Sequence, residues 1–264
     1  MKFRIIITSA LLCVACFSAY ATDFQSGVNA YTRGDYQTAL SEWKPFAEQG
    51  FAAAQYNLGQ MYAQGKGVPQ NYAEAVKWYR KAAEQGDAKA QYNLGQMYDE
   101  GQGVPQSDAE ALKWYRKAAE QGYAAAQYNL GEMYDQGQGL PQNYAEAAKW
   151  FRKAAEQGVA EAQLNIGVMY HHGKGVPQND AEAVKWFRKA AEQGYANAQY
   201  NLGISYAKAQ GLPLDYVQAH MWLNIAGSNG LSQAIVNRDS LAKLMTPQQI
   251  QQAQTMAADW AKNH

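Results

Sequence analysis

Apolar positions along this chain follow the helical period in two alternating stretches. Over 52–64, Ala54, Leu58, Met61 and Tyr62 share one face of a helical wheel. Over 72–85, Ala75, Trp78, Tyr79, Ala82 and Ala83 do the same, with Lys77, Arg80, Lys81 and Glu84 opposite. Both stretches are predicted to be amphipathic helices, the charged face of the second lying in solvent. Gly65-Lys66-Gly67-Val68-Pro69 separates them. Glycine supplies a left-handed cap for the first helix, and proline cannot continue it. Asn71 opens the second helix as N-cap, with Glu74 three residues on in a capping-box pattern, and Gly86 closes it. Gly59 sits at the edge of the first helix's apolar face. A glycine costs about 1 kcal/mol inside a helix, so it predicts a close helix–helix approach that a Cβ would block.

The whole pattern returns every 36 residues. The nonapeptide Ala54–Tyr62 reappears at Ala90, Ala126, Ala162 and Ala198, and Gly59 at Gly95, Gly131, Gly167 and Gly203. The capping pair recurs as Ser107/Glu110, Asn143/Glu146, Asn179/Glu182 and Asp215/Gln218. A fixed period of this size marks stacked supersecondary units, none able to bury its own apolar face. After a leader (below), the chain divides into a partial unit over 22–50, five units over 51–230 and a closing segment over 231–264. In the partial unit Gly34-Asp35-Tyr36 replaces the long loop, and Trp43 lies on the following helix. In the last repeat, Met221 and Ile225 stand where Lys185 and Lys189 stand one unit earlier. Thr246 as N-cap and Pro247 at the first helical position then begin a helix with Ile250, Ala253, Ala257 and Trp260 on one face. That helix, with 234–245 before it, is expected to seal the array over Met221 and Ile225. The alternative is that these two residues meet a partner.

Residues 1–21 break the pattern. Lys2 and Arg4 form a positive start, residues 5–17 an apolar run of 13, and Ala19-Tyr20-Ala21 an A-x-A site. Together they read as a secretory signal peptide cleaved before Thr22. The run is shorter than the roughly 20 apolar residues a spanning helix needs, so no stable membrane insertion is expected after cleavage. The expected location is periplasmic or secreted. The alternative is a lipoprotein, since Val14-Ala15-Cys16 resembles the end of a lipobox with Cys16 as the lipidated residue. Both cysteines, Cys13 and Cys16, lie in this leader, and a cysteine-free mature chain suits an oxidising compartment. Without Lys2 and Arg4 the mature chain carries 21 basic residues against 23 acidic. That balance argues against a nucleic-acid partner, which calls for a basic excess.

The elements A-x-x-x-L-G-x-x-Y, G-x-G-V and A-x-x-W-[YF]-x-x-A-A-x-x-G occur here as Ala54/Leu58/Gly59/Tyr62, Gly65/Gly67/Val68 and Ala75/Trp78/Tyr79/Ala82/Ala83/Gly86. They resemble the Sel1-like repeat family, close relatives of tetratricopeptide repeats, over roughly 52–230. Four copies match nearly throughout, with Ile166 for Leu in the fourth. The fifth departs, with Ala209 for the first loop glycine, Leu223 for the aromatic and Gly227 for the second alanine. The resemblance implies an all-α fold, a right-handed superhelical solenoid of helix-turn-helix repeats of 36 residues. It also implies an adaptor for protein–protein contacts in bacterial envelope or host-interaction settings, binding a protein or peptide in a concave groove.

In helix-pair solenoids the first helices line the concave side. Tyr56, Asn57 and Gln60 point away from that helix's core stripe and are expected in the groove. Asn57 recurs at Asn93, Asn129, Asn165 and Asn201. Such a ladder of amides offers a donor and an acceptor at each step to an extended peptide; alternatively it bridges neighbouring units. Other groove positions drift. Gln60 becomes Gln96, Glu132, Val168 and Ile204, and Ala63 becomes Asp99, Asp135, His171 and Ala207. The expected groove is acidic at Asp99, Glu132 and Asp135 and apolar at Leu164, Val168 and Ile204. It suits a ligand with a basic segment followed by an apolar one.

Catalytic chemistry is hard to find. No nucleophile–base constellation is visible, so the chain reads as a scaffold and not an enzyme. The Gly-x-Gly loops lack the strand and the Lys-Ser/Thr of phosphate-binding loops, and read as turns. His171 and His172 are adjacent, point about 100° apart on a helix and have no third ligand nearby, so neither metal nor cofactor is expected. The alternative function is an envelope or cell-wall enzyme. Some cysteine-rich members of the resembling family are linked to β-lactam binding or hydrolysis, and this chain lacks their paired cysteines.

Overall fold

The computed structural model describes residues 24–263; the leader, Cys13 and Cys16 included, lies outside them. Among the described residues the chain forms fourteen helices and no strand. After α1 (24–32) come α2 (Tyr36–Glu48), α3 (Ala52–Gln64), α4 (Tyr72–Glu84), α5 (Ala88–Glu100) and α6 (Asp108–Glu120). Then follow α7 (Ala124–Gln136), α8 (Tyr144–Glu156), α9 (Ala160–His172), α10 (Asp180–Glu192), α11 (Ala196–Lys208) and α12 (Tyr216–Ser228). The chain ends with α13 (Ser232–Ala242) and α14 (Pro247–Asn263). Two compact units hold these helices, the first through Tyr123 with α1–α6 and the second from Ala124 with α7–α14.

In both units the apolar core lies between successive repeats. In the first, Ala75, Val76, Tyr79, Ala82 and Ala83 of α4 pack with Ala90, Leu94 and Met97 of α5, and Trp114 of α6 closes the cluster. In the second, Ala147, Ala148, Phe151, Ala154 and Ala155 of α8 meet Ala162, Ile166 and Met169 of α9, with Trp186 of α10 against them. The alanine pairs are what let these helices approach. The tryptophans reach the surface under a lysine one turn on: Lys81 lies 4.3 Å from the centre of the Trp78 ring and Lys189 4.5 Å from that of Trp186. Such cation–π contacts add about 0.5–1 kcal/mol at exposed sites.

Three local expectations need correction. First, the helical glycine makes room chiefly for a ring of the second helix, while at Gly167 and Gly203 a Cβ would also lie 3.3 and 3.2 Å from that helix's backbone carbonyls, as a close approach predicts. A Cβ on Gly59 would lie 2.5 Å from Tyr79 Cδ1, and one on Gly131 2.7 Å from Phe151 Cδ1. Second, the capping box is only half formed. Asn71 Oδ1 does accept from the Glu74 backbone N–H at 3.1 Å. The Asn71 N–H, however, is already donated to the Tyr62 carbonyl at 2.9 Å, so Glu74 turns outward and pairs with Lys77 at 2.6 Å. Third, the Arg80 series is not free surface. Arg80 donates to the Tyr98 hydroxyl, Arg152 to Tyr170 at 2.8 Å and Arg188 to Tyr206 at 2.9 Å. Each arginine thus ties a second helix to the first helix of the next repeat.

A buried polar ladder runs beside these struts. Gln91 Nε2 donates to the Ala83 carbonyl at 3.0 Å, and Gln91 Oε1 accepts from Gln121 Nε2 at 2.7 Å. In the second unit Gln163 bonds the Ala155 carbonyl at 3.1 Å and Gln193 at 2.8 Å, and Gln199 bonds Ala191 at 3.1 Å and Asn229 at 2.9 Å. Each amide satisfies a carbonyl at the end of the preceding helix, where intrahelical partners run out.

At the C-terminal end α14 lies over α12. Met221 and Ile225 are buried with Ala253 and Ala257, and Met256 and Trp260 pack on the same cluster. The Trp222 and Trp260 rings meet edge to face at 6.0 Å. Here the capping box is complete: Gln249 N–H donates to Thr246 Oγ1 at 3.3 Å and Thr246 N–H to Gln249 Oε1 at 2.9 Å.

Candidate partner-binding face

The fourteen residues read from the sequence as groove positions all lie on first helices, and all are partly exposed. Tyr56, Asn57 and Gln60 are on α3 and Asn93, Gln96 and Asp99 on α5, in the first unit. Asn129, Glu132 and Asp135 are on α7, Asn165, Val168 and His171 on α9, and Asn201 and Ile204 on α11, in the second.

In the first unit much of this face is internally bonded. The Tyr56 ring stands 5.9 Å from the Tyr79 ring, and its hydroxyl accepts from Gln60 Nε2 at 2.7 Å. Asn93, one repeat on, stands beside both tyrosine hydroxyls. Burial pushes the Tyr56 and Tyr79 phenols up, and Asn93 tempers the rise. Asp99 Oδ2 accepts from the Tyr115 hydroxyl at 3.3 Å.

The second unit repeats the arrangement and then departs from it. Tyr128 stands 5.8 Å from Phe151 and donates to Glu132 Oε1 at 2.7 Å; burial first, then this carboxylate, push its phenol up. On α13, Asn237 Nδ2 donates to the Tyr200 hydroxyl at 2.9 Å, the same tyrosine–asparagine bridge. Between α9 and α11 a pocket of about 110 Å³ opens instead, lined by Val168, His171, His172, Phe187, Asn201, Ile204, Ser205 and Gln210. It brings together Val168, His171, Asn201 and Ile204 from the sequence reading; the other ten positions stay outside it. His171 Nδ1 lies 2.7 Å from Asp180 Oδ1, which fixes the ring and leaves Nε2 as its remaining polar atom. Sequence reasoning missed His172, Phe187, Ser205 and Gln210 as lining residues. The available signal was Ser205, which stands where the other four copies carry Met61, Met97, Met133 and Met169.

The pocket is well below the roughly 300 Å³ at which small-molecule and cofactor sites begin. It has the scale of one side chain. Among the described residues no group of three or more His, Cys, Asp or Glu is placed to hold a metal ion. No helix among them is long and apolar enough to cross a membrane.

Helix-turn-helix repeats, a core shared between repeats and a partly exposed first-helix face define a repeat scaffold. The Sel1 repeat model matches 52–87, 88–123, 124–159, 160–195 and 196–231, and the chain belongs to that family. Its structure is similar to that of a protective antigen present in uropathogenic Escherichia coli strains that displays an SLR fold. The two share 35% identity with a TM-score of 0.83, over 97% of this chain and 56% of the antigen. The chain thus spans little more than half the length of that relative. It is also similar to a Sel1 repeat protein from Oxalobacter formigenes, at 38% identity and a TM-score of 0.75, over 89% of this chain and 96% of that one. No curated protein matches. Sel1 repeat proteins are generally protein–protein interaction scaffolds, and their fold is typically non-enzymatic.

Proposed function

We propose that this protein is an exported, non-catalytic adaptor that holds an extended segment of a protein partner on its first-helix face. The observation that carries the reading is the α9/α11 pocket, where Val168 and Ile204 supply apolar contact and Asn201 and His171 supply hydrogen bonding. An extended chain laid across successive first helices meets one such position per repeat, which suits a peptide better than a compact ligand. Export rests on the positive start, the apolar run and the A-x-A site of residues 1–21, and it places the adaptor in the periplasm or outside the cell. The Escherichia coli relative, described as a protective antigen, keeps a host-facing role as the alternative setting.

The test is crosslinking capture of partners by the mature chain from its own envelope, beside the double variant Val168→Glu/Ile204→Glu. Both positions are partly exposed but also touch the core, so thermal unfolding of the variant is measured alongside to show that it stays folded. A partner captured by the native chain and lost by the variant is the expected result. An unchanged captured set would rule the face out. Cell fractionation with N-terminal sequencing checks export and cleavage before Thr22. A chromogenic β-lactam assay on the mature protein is expected to show no hydrolysis.

A further inference from the structure

Three walls of the α9/α11 pocket stand at the positions that surround a tyrosine in the first repeat. Tyr56 touches three side chains: the Tyr79 ring, Gln60 and Asn93. Three periods later the same positions are Phe187, Val168 and Asn201, and all three line the pocket. The position of Tyr56 itself is Leu164, whereas Tyr92, Tyr128 and Tyr200 hold it in the remaining copies. Leucine has no ring to lay on Phe187 and no hydroxyl for the next asparagine. In the fifth copy the tyrosine does meet the next asparagine, Asn237 donating to the Tyr200 hydroxyl at 2.9 Å, whereas Tyr128 gives its hydroxyl to Glu132. Asn201 has only its backbone carbonyl engaged, by Ser205 Oγ at 2.8 Å, and its side-chain amide bonds no other described residue. Ser205 in place of methionine widens the same space.

We propose that this pocket receives one tyrosine side chain of the bound partner, the partner's phenol standing in for the ring and hydroxyl that Leu164 lacks. The inference rests on the adaptor reading above and names what that face recognises. Phenol chemistry fits each wall. Phe187, Val168 and Ile204 take the ring, and Asn201 offers both a donor and an acceptor to the hydroxyl. No carboxylate, lysine or arginine lines the pocket. The volume of about 110 Å³ is below the about 150 Å³ of a cavity that encloses benzene, so this pocket, open on one side, seats part of a single ring and leaves the rest in solvent. It leaves no room for a two-ring indole.

The experiment uses the mature chain and two probes, N-acetyl-tyrosinamide and N-acetyl-phenylalaninamide, read by NMR at the Asn201 side-chain amide and the Val168 and Ile204 methyls. The tyrosine probe is expected to shift these signals saturably, and the phenylalanine probe to bind about five-fold more weakly for want of one hydrogen bond. Leu164→Tyr should fill the pocket from within, abolish probe binding and raise the melting temperature. Asn201→Ala, which removes no internal side-chain bond, should bring the tyrosine probe down to the level of the phenylalanine probe. Equal binding of the two probes, binding that survives Leu164→Tyr, or no shift at the solubility limit would each overturn the proposal. A captured envelope partner indifferent to Leu164→Tyr sinks the tyrosine pocket alone. A probe that binds where no partner is captured sinks the adaptor reading alone.

Discussion

Ala209 holds a left-handed backbone, φ 54°, where Gly65, Gly101, Gly137 and Gly173 follow the other first helices. An L-residue there costs roughly 1–2 kcal/mol, and glycine returns part of that by greater freedom in the unfolded chain. Ala209→Gly should therefore stabilise the protein by about 1 kcal/mol, seen as a raised denaturation midpoint. The departure was visible in the sequence because four other copies supplied the comparison. The glutamine ladder was less legible. Gln55, Gln91, Gln127, Gln163 and Gln199 are fixed in every copy and only 0–4% exposed. Apolar periodicity assigns nothing to a buried amide, whose carbonyl partner lies on the preceding helix and appears only when repeats stack. Gln163→Leu should cost about 1–3 kcal/mol, since the Ala155 carbonyl and the Gln193 amide both lose a partner. Urea unfolding measures it, and a neutral result would show the ladder to be ornamental.

Helix placement was legible almost to the residue, because N-cap side chains and left-handed glycines punctuate each unit. What those signals could not disclose is which of two acceptors wins a donor. The Glu74 carboxylate loses the Asn71 N–H to the Tyr62 carbonyl, so the box reads correctly as a helix start and wrongly as a bond. At the last repeat, His220 stands at the register of Val76, Leu112, Ala148 and Val184. It is 3% exposed, and its Nδ1 has no partner. Burial holds its pKa below the ordinary value, the Arg238 guanidinium adds to the effect, and Asp239 partly opposes it. The folded state thus resists a proton that the unfolded chain accepts near pH 6.5. Stability from the neutral ring is present above that pH and is lost as pH falls toward the lowered folded value. Wild type should lose melting temperature over this window more steeply than His220→Val. Parallel pH profiles would dismiss the idea. On α14 the apolar face meets Met221 and Ile225. Deleting 246–264 uncovers that stripe and the Trp222 ring, and should yield insoluble or partly melted protein; a soluble truncation with unchanged unfolding would show that α12 needs no cover.

Across the molecule, the repeat made the fold readable and its exceptions made the site readable. The glutamine identical in all copies is an internal strut, because a stack needs the same joint at every step. Three of the drifting positions, Val168, His171 and Ile204, meet at the α9/α11 pocket. The pocket itself was not legible, since it requires knowing that Phe187, Val168 and Asn201 surround one point. The same logic extends along the second unit. Its first helices run from acidic on α7, with Glu132 and Asp135, to apolar on α9 and α11, with Leu164, Val168 and Ile204. A partner engaging this unit in the proposed manner carries basic residues beside its apolar anchor. Exposed charge pairs contribute only about 0.2–1 kcal/mol each and are screened within roughly 10 Å at 0.1 M salt. Glu132→Lys with Asp135→Lys loses up to about thirty-fold from two such pairs, adds repulsion to that loss, and should flatten or invert the salt dependence of a captured partner's binding. Val168→Glu with Ile204→Glu should lower affinity at every salt concentration, because it strikes the apolar contact. Titrations at low and high salt separate the two effects, and a salt dependence unchanged by the lysine pair would show that the acidic stretch of α7 takes no part in recognition.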